Sequence, residues 1–163
     1  MTAAVRSSYA AIWVATAVGI LVAGLTRPLF DVDAPRDALQ ASPATVIDLL
    51  VHNTLVALWP LALVALDWPR LRGARTAGDV LVAGQLAVHG LLIGVALGQQ
   101  PSLWRYLPHL PAEWLGLAIA AAGWLYARRA DRPPAPRALA GLAACAVAVL
   151  AVAAIVETWA VPL

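Results

Sequence analysis

The sequence predicts an all-α fold: a polytopic membrane bundle of five transmembrane helices. Its 163 residues are 62% hydrophobic and only 12% charged, about half the charged fraction of a soluble domain. The mean hydropathy is +0.79. Five apolar stretches also reach the roughly 17–25 residues that a transmembrane helix needs. We therefore expect a multi-pass protein of the cell membrane, with residues 1–163 in a single membrane domain.

Short polar or proline-containing segments separate the five predicted spans. The spans are approximately Tyr9–Leu25, Val46–Leu66, Val80–Leu97, Leu110–Ala127 and Leu139–Val161. The first is interpreted as a retained helix and not a signal peptide, because its apolar core is long and no clear cleavage site follows it. After the acidic segment 31–37, the second helix is predicted to start at Ser42 or Thr45, since both residues are good helix caps.

The distribution of arginine predicts the orientation of the chain. All eleven basic residues are arginine, and eight of them fall at the N-terminus or in the second and fourth connections, against three in the other connections. Positive residues accumulate on the cytoplasmic side, so we expect a cytoplasmic N-terminus and an extracytoplasmic C-terminus. Aromatic anchors are expected near the inner face at Trp68 and Trp124 and near the outer face at Trp104 and Trp159.

Three glycines recur every four residues in the third span: Gly90, Gly94 and Gly98. This spacing puts them on one helical face, where the absence of side chains lets a neighbouring helix approach closely. We interpret them as a packing surface. The sequence leaves open whether the neighbour belongs to the same chain or to another.

Five polar residues from three different spans are predicted to share a depth near the outer face: His52, Asn53, His109, Glu113 and Glu157. His109 and Glu113 are four residues apart and therefore lie on one face of the fourth helix. With this topology, Glu113 is expected one or two turns below the outer surface. Ionisable groups in a span are expensive and are usually paired or used. The prediction is a binding or structural polar cluster, provided that the three helices are neighbours.

At each position, a purely structural role is an alternative to a binding role. Glu113 can complement the positive end of its helix, and Asn53 can make an interhelical hydrogen bond. A mixed nitrogen and oxygen shell for Zn²⁺ is also chemically reasonable, but His–Glu pairs at this spacing are common, so no metal, cofactor or catalytic residue is assigned. No serine lies in a span among these groups, which disfavours nucleophilic catalysis.

Three motifs resemble the stage II sporulation protein M family. Leu107-Pro108-His109-Leu110-Pro111-Ala112-Glu113 is similar to its Pro-His-Gly-x-x-Glu signature, and residues 153–162 are similar to its terminal Ala-x-x-x-Glu-x-x-x-x-Pro. His52-Asn53-Thr54-Leu55-Val56-Ala57 resembles its Asn-Asn-x-x-x-Ala. The motifs occur in the family's order over residues 46–163, although Leu110 replaces a glycine and His52 replaces the first asparagine.

The resemblance implies a non-enzymatic integral membrane component, expected here in a bacterial cell membrane. We therefore expect a scaffold or accessory subunit that contacts the lipid bilayer and other membrane or extracytoplasmic proteins, or that self-associates. A small permease or lipid-handling component is the first alternative, and an intramembrane metalloenzyme using His109, Glu113 and Glu157 is the second. The small net charge of +2 and the absence of an aromatic-interleaved basic patch argue against nucleic-acid binding.

Overall fold

The computed structural model describes residues 2–26, 41–71, 73–130 and 133–160. These residues form five α-helices and no β-strand, which confirms the all-α class. The helices are α1 (Thr2–Leu25), α2 (Pro43–Ala65), α3 (Ala74–Gln99), α4 (Leu110–Ala127) and α5 (Pro136–Ala160). Two short 3₁₀ helices, Trp68–Arg70 and Pro101–Tyr106, lie on either side of α3. The predicted segment 31–37, Arg27, Arg36, Arg72, Arg132 and residues 161–163 lie outside the described residues.

Four helices are long and apolar enough to cross a membrane: α1, α2, α3 and α5. This agrees with the membrane character that the composition predicts. The fourth predicted span, α4, has the predicted bounds but is not among these four. It has only 18 residues, and Pro111, Glu113 and Trp114 dilute its apolar character at the start.

Helix α2 begins where the sequence offers a cap. The backbone of Ser42 is extended, and its hydroxyl oxygen accepts a hydrogen bond of 3.1 Å from the backbone N–H of Thr45. Pro43 follows in the first turn, where a missing N–H donor costs nothing because that donor would have no helical partner. Ser42 is one of the two predicted starts.

Helix α4 lies at the centre of the bundle and packs against α1, α2 and α5. Every residue from 116 to 124 is buried. Alanine and glycine dominate this segment because several neighbouring helices approach it closely; a Cβ on Gly116 would lie 2.8 Å from the side chain of Leu150. The indoles of Trp114 and Trp124, at either end of the segment, are 1% and 0% exposed. Trp124 is therefore a core residue, and its predicted role as an interfacial anchor is wrong.

The glycines of α3 pack against α1 of the same chain. A Cβ on Gly90 would lie 2.5 Å from the carbonyl oxygen of Ile12, and one on Gly98 would lie 2.6 Å from the Cβ of Ala23. Gly94 meets the backbone of Thr16 so closely that any side chain would overlap it. The neighbour that the sequence left undecided is thus α1, which runs parallel to α3.

The bundle has two ends, which we define by the helix termini. The outer end is formed by Leu25, Pro43 and Gln99, and the inner end by Thr2, Ala65 and Ala74. Successive helices run in opposite directions between these ends. The names follow the orientation that the arginines predict.

Helix α4 begins about halfway along the bundle and not at its outer end. Trp114, one turn into α4, packs edge-on against Trp13 at the middle of α1, with ring centroids 4.6 Å apart. Asn53, at the middle of α2, hydrogen-bonds to Glu113. Glu113 therefore lies about ten residues, or roughly 15 Å, below the start of α2. The physical reason for the position of α4 is the 3₁₀ helix Pro101–Tyr106, which returns along α1 before α4 starts.

We predict that Gly94→Ala destabilises the bundle by about 1–3 kcal/mol, because the new methyl group overlaps backbone atoms of α1 that cannot move independently. Gly84→Ala is the matched control in the same helix, since nothing lies within 4 Å of its Cβ position. The control should unfold at the same temperature or slightly higher, because alanine favours a helix over glycine. Thermal unfolding in detergent, followed by circular dichroism, measures both. Equal melting temperatures would contradict the α1–α3 packing.

Candidate functional site

The candidate site forms where the start of α4 meets the end of α5. His109 immediately precedes α4, and Glu113 lies in its first turn. Glu157 is near the end of α5. Helical side chains lean toward the N-terminus of their own helix. Since α4 and α5 are antiparallel, the two glutamate side chains lean toward each other, and residues far apart in sequence converge.

The three ionisable side chains are close together. One ring nitrogen of His109 and one carboxylate oxygen each of Glu113 and Glu157 all lie within 4.8 Å of one another. His109 is only 7% exposed, and both glutamates are half-buried. These three are the residues that the sequence proposed for a metal shell.

Asn53 connects α2 to this cluster. Its side-chain nitrogen donates a hydrogen bond of 2.5 Å to Oε1 of Glu113. A charge-assisted hydrogen bond from an amide to a carboxylate fixes the acceptor's orientation as well as its position. We call Asn53, His109, Glu113 and Glu157 the polar cluster. It joins three helices at one level.

His52, the fifth predicted member, is not in the polar cluster. It follows Val51 on the exposed side of α2, because adjacent helical residues point about 100° apart and Asn53 takes the inward direction. It is still close enough to Glu157 to interact with it electrostatically. The sequence could not distinguish the two neighbours without knowing which face of α2 contacts α4.

His109 has an unused polar atom. Its Nδ1 is buried and has no hydrogen-bond partner among the described residues. It precedes α4 without capping it through its side chain. Leaving a buried polar atom without a hydrogen bond costs about 1–3 kcal/mol of folding stability. A ligand bound to this nitrogen would offset that cost.

Two buried hydroxyl groups, those of Thr158 and Thr16, are not arranged as nucleophiles. Thr158, one residue from Glu157, donates its hydrogen bond to the carbonyl of Ala154 in its own helix at 2.7 Å. Thr16 does the same to Ile12 at 2.9 Å. A serine or threonine nucleophile requires a base within hydrogen-bond reach, and neither of these two hydroxyls has one. The site offers two carboxylates, one imidazole and one amide for binding.

A second polar group, which the sequence analysis missed, lies at the inner end. Nε1 of Trp124 donates to Oδ1 of Asp79 at 2.9 Å, and the guanidinium of Arg128 lies 2.8 Å from Oδ2. Asp79 lies in the second turn of α3 and Arg128 follows α4, so the group joins these two helices. The sequence does place an acidic residue, Asp79, and a basic residue, Arg128, near the predicted inner ends of their helices. Their contact could not be predicted, because it depends on α3 and α4 being neighbours.

Two further polar residues lie on α3, away from the polar cluster. Nε2 of Gln85 donates to the backbone oxygen of Val56 on α2 at 2.5 Å. Nδ1 of His89 lies 2.8 Å from the backbone oxygen of Gln85. His89 thus has a partner where His109 has none, which makes it a useful control for any test of the polar cluster.

We predict that Asn53 and Glu113 couple energetically across α2 and α4. In a double-mutant cycle with Asn53→Leu and Glu113→Leu, the expected coupling is about 0.6–1.7 kcal/mol, the range for interhelical hydrogen bonds in membranes. The control cycle combines Asn53→Leu with Asp79→Asn, which lies near the inner end and should give additive effects. Unfolding in a detergent series measures all variants. A coupling of zero in the first cycle would mean that the hydrogen bond does not stabilise the bundle.

Comparison with known proteins gives no match to a family model, a curated protein or a solved structure. The likeness to the stage II sporulation protein M family therefore rests on the three motifs alone.

Proposed function

We propose that the chain is a non-enzymatic integral membrane protein that acts as a scaffold or accessory subunit of a membrane assembly. The polar cluster carries this proposal. Asn53 of α2 hydrogen-bonds to Glu113 of α4, and Glu157 of α5 lies close to His109 and Glu113. Polar residues that fix helix positions in an apolar surrounding are expected to meet in this way. The resemblance to a scaffold family points the same way.

The lateral surface of the bundle, formed by the helices around α4, supports a membrane location. Large apolar side chains are exposed on the helices that surround α4, as on a surface that faces lipid or other membrane proteins. Examples are Leu21 at 68%, Leu55 at 71% and Leu92 at 58% exposed. A monomer in water rarely exposes contiguous patches of this kind. Trp159, near the end of α5, is also exposed, at 55%, and tryptophan is enriched both at membrane interfaces and in protein–protein contacts.

In this proposal the chain crosses the membrane five times, with its N-terminus in the cytoplasm. The alternating helix directions support it. So does the position of six described arginines at or near the inner end, namely Arg6, Arg70, Arg75, Arg128, Arg129 and Arg137. Helix α4 completes the bilayer crossing together with the returning 3₁₀ helix Pro101–Tyr106.

The five-span topology predicts that residues on either side of α4 lie on opposite faces of the membrane. In a Cys145→Ala background, Ser102→Cys and Ala135→Cys each introduce one exposed thiol, before and after α4. A membrane-impermeant maleimide should label Ser102→Cys in intact cells and Ala135→Cys only after permeabilisation. Labelling of both thiols from the same side would show that α4 does not cross.

The subunit role is tested by affinity purification from the native membrane. We expect other membrane or extracytoplasmic proteins to co-purify in a fixed ratio with the wild-type chain. Glu157→Gln should reduce both that recovery and the melting temperature, by about 2–4 °C for each kcal/mol lost, because it weakens the polar cluster. His89→Ala, outside the cluster, is the control. If Glu157→Gln stays folded and assembled yet abolishes uptake of a solute, the chain is a permease and not a scaffold.

A further inference from the structure

We propose that His109, Glu113 and Glu157 bind one divalent transition-metal ion, for which Zn²⁺ is the appropriate probe. The ion would connect the start of α4 to the end of α5. This inference goes beyond the scaffold role and does not depend on it, since the ligand geometry belongs to the bundle whatever the bundle assembles with.

The spacing of the three side chains suits a small cation. Their candidate ligand atoms lie within 4.8 Å of one another. Around a tetrahedral Zn²⁺ with nitrogen and oxygen ligands at about 2.0–2.2 Å, ligand atoms are about 3.3–3.6 Å apart. Closing the gap requires movements of roughly 1.5 Å at most, which rotation about the glutamate side-chain bonds provides without moving a helix.

The second, independent observation is the buried imidazole. His109 is 7% exposed, and its Nδ1 has no hydrogen-bond partner among the described residues. Neutral histidine is the commonest protein ligand of transition metals. A metal bond at one nitrogen would leave the other to be oriented by a neighbouring group or by water. The two acidic groups alone would not indicate a site; a buried histidine directed at them does.

Charge balance also favours a dication. Two carboxylates brought this close in an apolar surrounding repel each other strongly, because the effective dielectric constant is low. The described ion pairs use arginines elsewhere, between Arg128 and Asp79 and between Arg70 and Asp67. His52 interacts electrostatically with Glu157 but forms none of the described ion pairs. One divalent ion bound by two carboxylates and a neutral imidazole forms a complex with no net charge, which is the least costly form inside a bundle.

The ligand types select the class of metal. Imidazole with carboxylates suits zinc and similar first-row ions, whereas Ca²⁺ needs six to eight oxygen ligands. Three protein ligands leave a fourth tetrahedral position for water or another donor. Asn53 completes the arrangement, since its hydrogen bond to Oε1 of Glu113 orients that carboxylate toward the other two groups.

The test measures zinc bound to the full chain purified in detergent. After chelation and back-titration with Zn²⁺, we expect about one ion per chain in the wild type, and an increase in its melting temperature with added Zn²⁺. His109→Ala and Glu157→Gln should each abolish binding, and Asn53→Leu should weaken it by roughly 10–100-fold, as for other groups that orient a ligand. Replacement by Co²⁺ should give the intense visible bands of a four-coordinate nitrogen and oxygen site.

The control is His89→Ala, which removes an imidazole that already has a partner in α3 and should bind zinc like the wild type. Glu157→Gln is nearly isosteric, so it keeps the test valid if His109→Ala fails to fold; circular dichroism of each variant establishes this. The proposal is overturned if the folded wild type binds less than a tenth of an ion per chain. Equal loss of zinc in His89→Ala and His109→Ala would also overturn it.

Discussion

The dense packing of small residues around α4 determines where polar groups can lie in this bundle. The eight residues from Gly116 to Gly123 are all apolar and buried, and a Cβ on either glycine would overlap a leucine side chain of a neighbouring helix. Polar groups are consequently restricted to the two ends of α4. Both ends are used, with Glu113 bonded to Asn53 at one and Trp124 bonded to Asp79 at the other. The central helix is thus apolar in its middle and tied to different neighbours at each end.

The polar cluster at the start of α4 and the group around Asp79 near its other end differ in how their charged side chains are paired. Asp79 near the inner end has both an indole donor and a guanidinium partner, so its charge is fully compensated. The polar cluster contains two carboxyl groups, a single amide donor and an imidazole whose Nδ1 is unused. A structural role explains the hydrogen bond and the ion pair of the group around Asp79. The polar cluster brings two carboxyl groups and an imidazole within 4.8 Å of one another, an arrangement that a bound cation accounts for.

The sequence predicted the helices well because the length of an apolar run is a local property. Helix α4 has the predicted bounds. The other helices begin before the predicted spans, by seven residues in α1, six in α3 and three each in α2 and α5. That His109, Glu113 and Glu157 share one level, provided that their helices are neighbours, also followed from alternating helix directions. The start of α4 halfway along the bundle did not, because nothing in the composition of residues 101–106 shows that they return along α1. Likewise, an aromatic residue near arginines suggests an interface, and only the neighbouring helices reveal that Trp124 is buried.

The partnership of α1 with α3 has a consequence for how the protein is made. Helices that emerge in succession usually pair with each other, but α1 packs on α3 and α4 and leaves α2 to contact α4 and α5. The first helix must therefore remain in the bilayer without its permanent neighbours until the ribosome has produced more than half of the chain. An insertase or chaperone that shields the glycine-facing side of α1 would have its greatest effect during that interval.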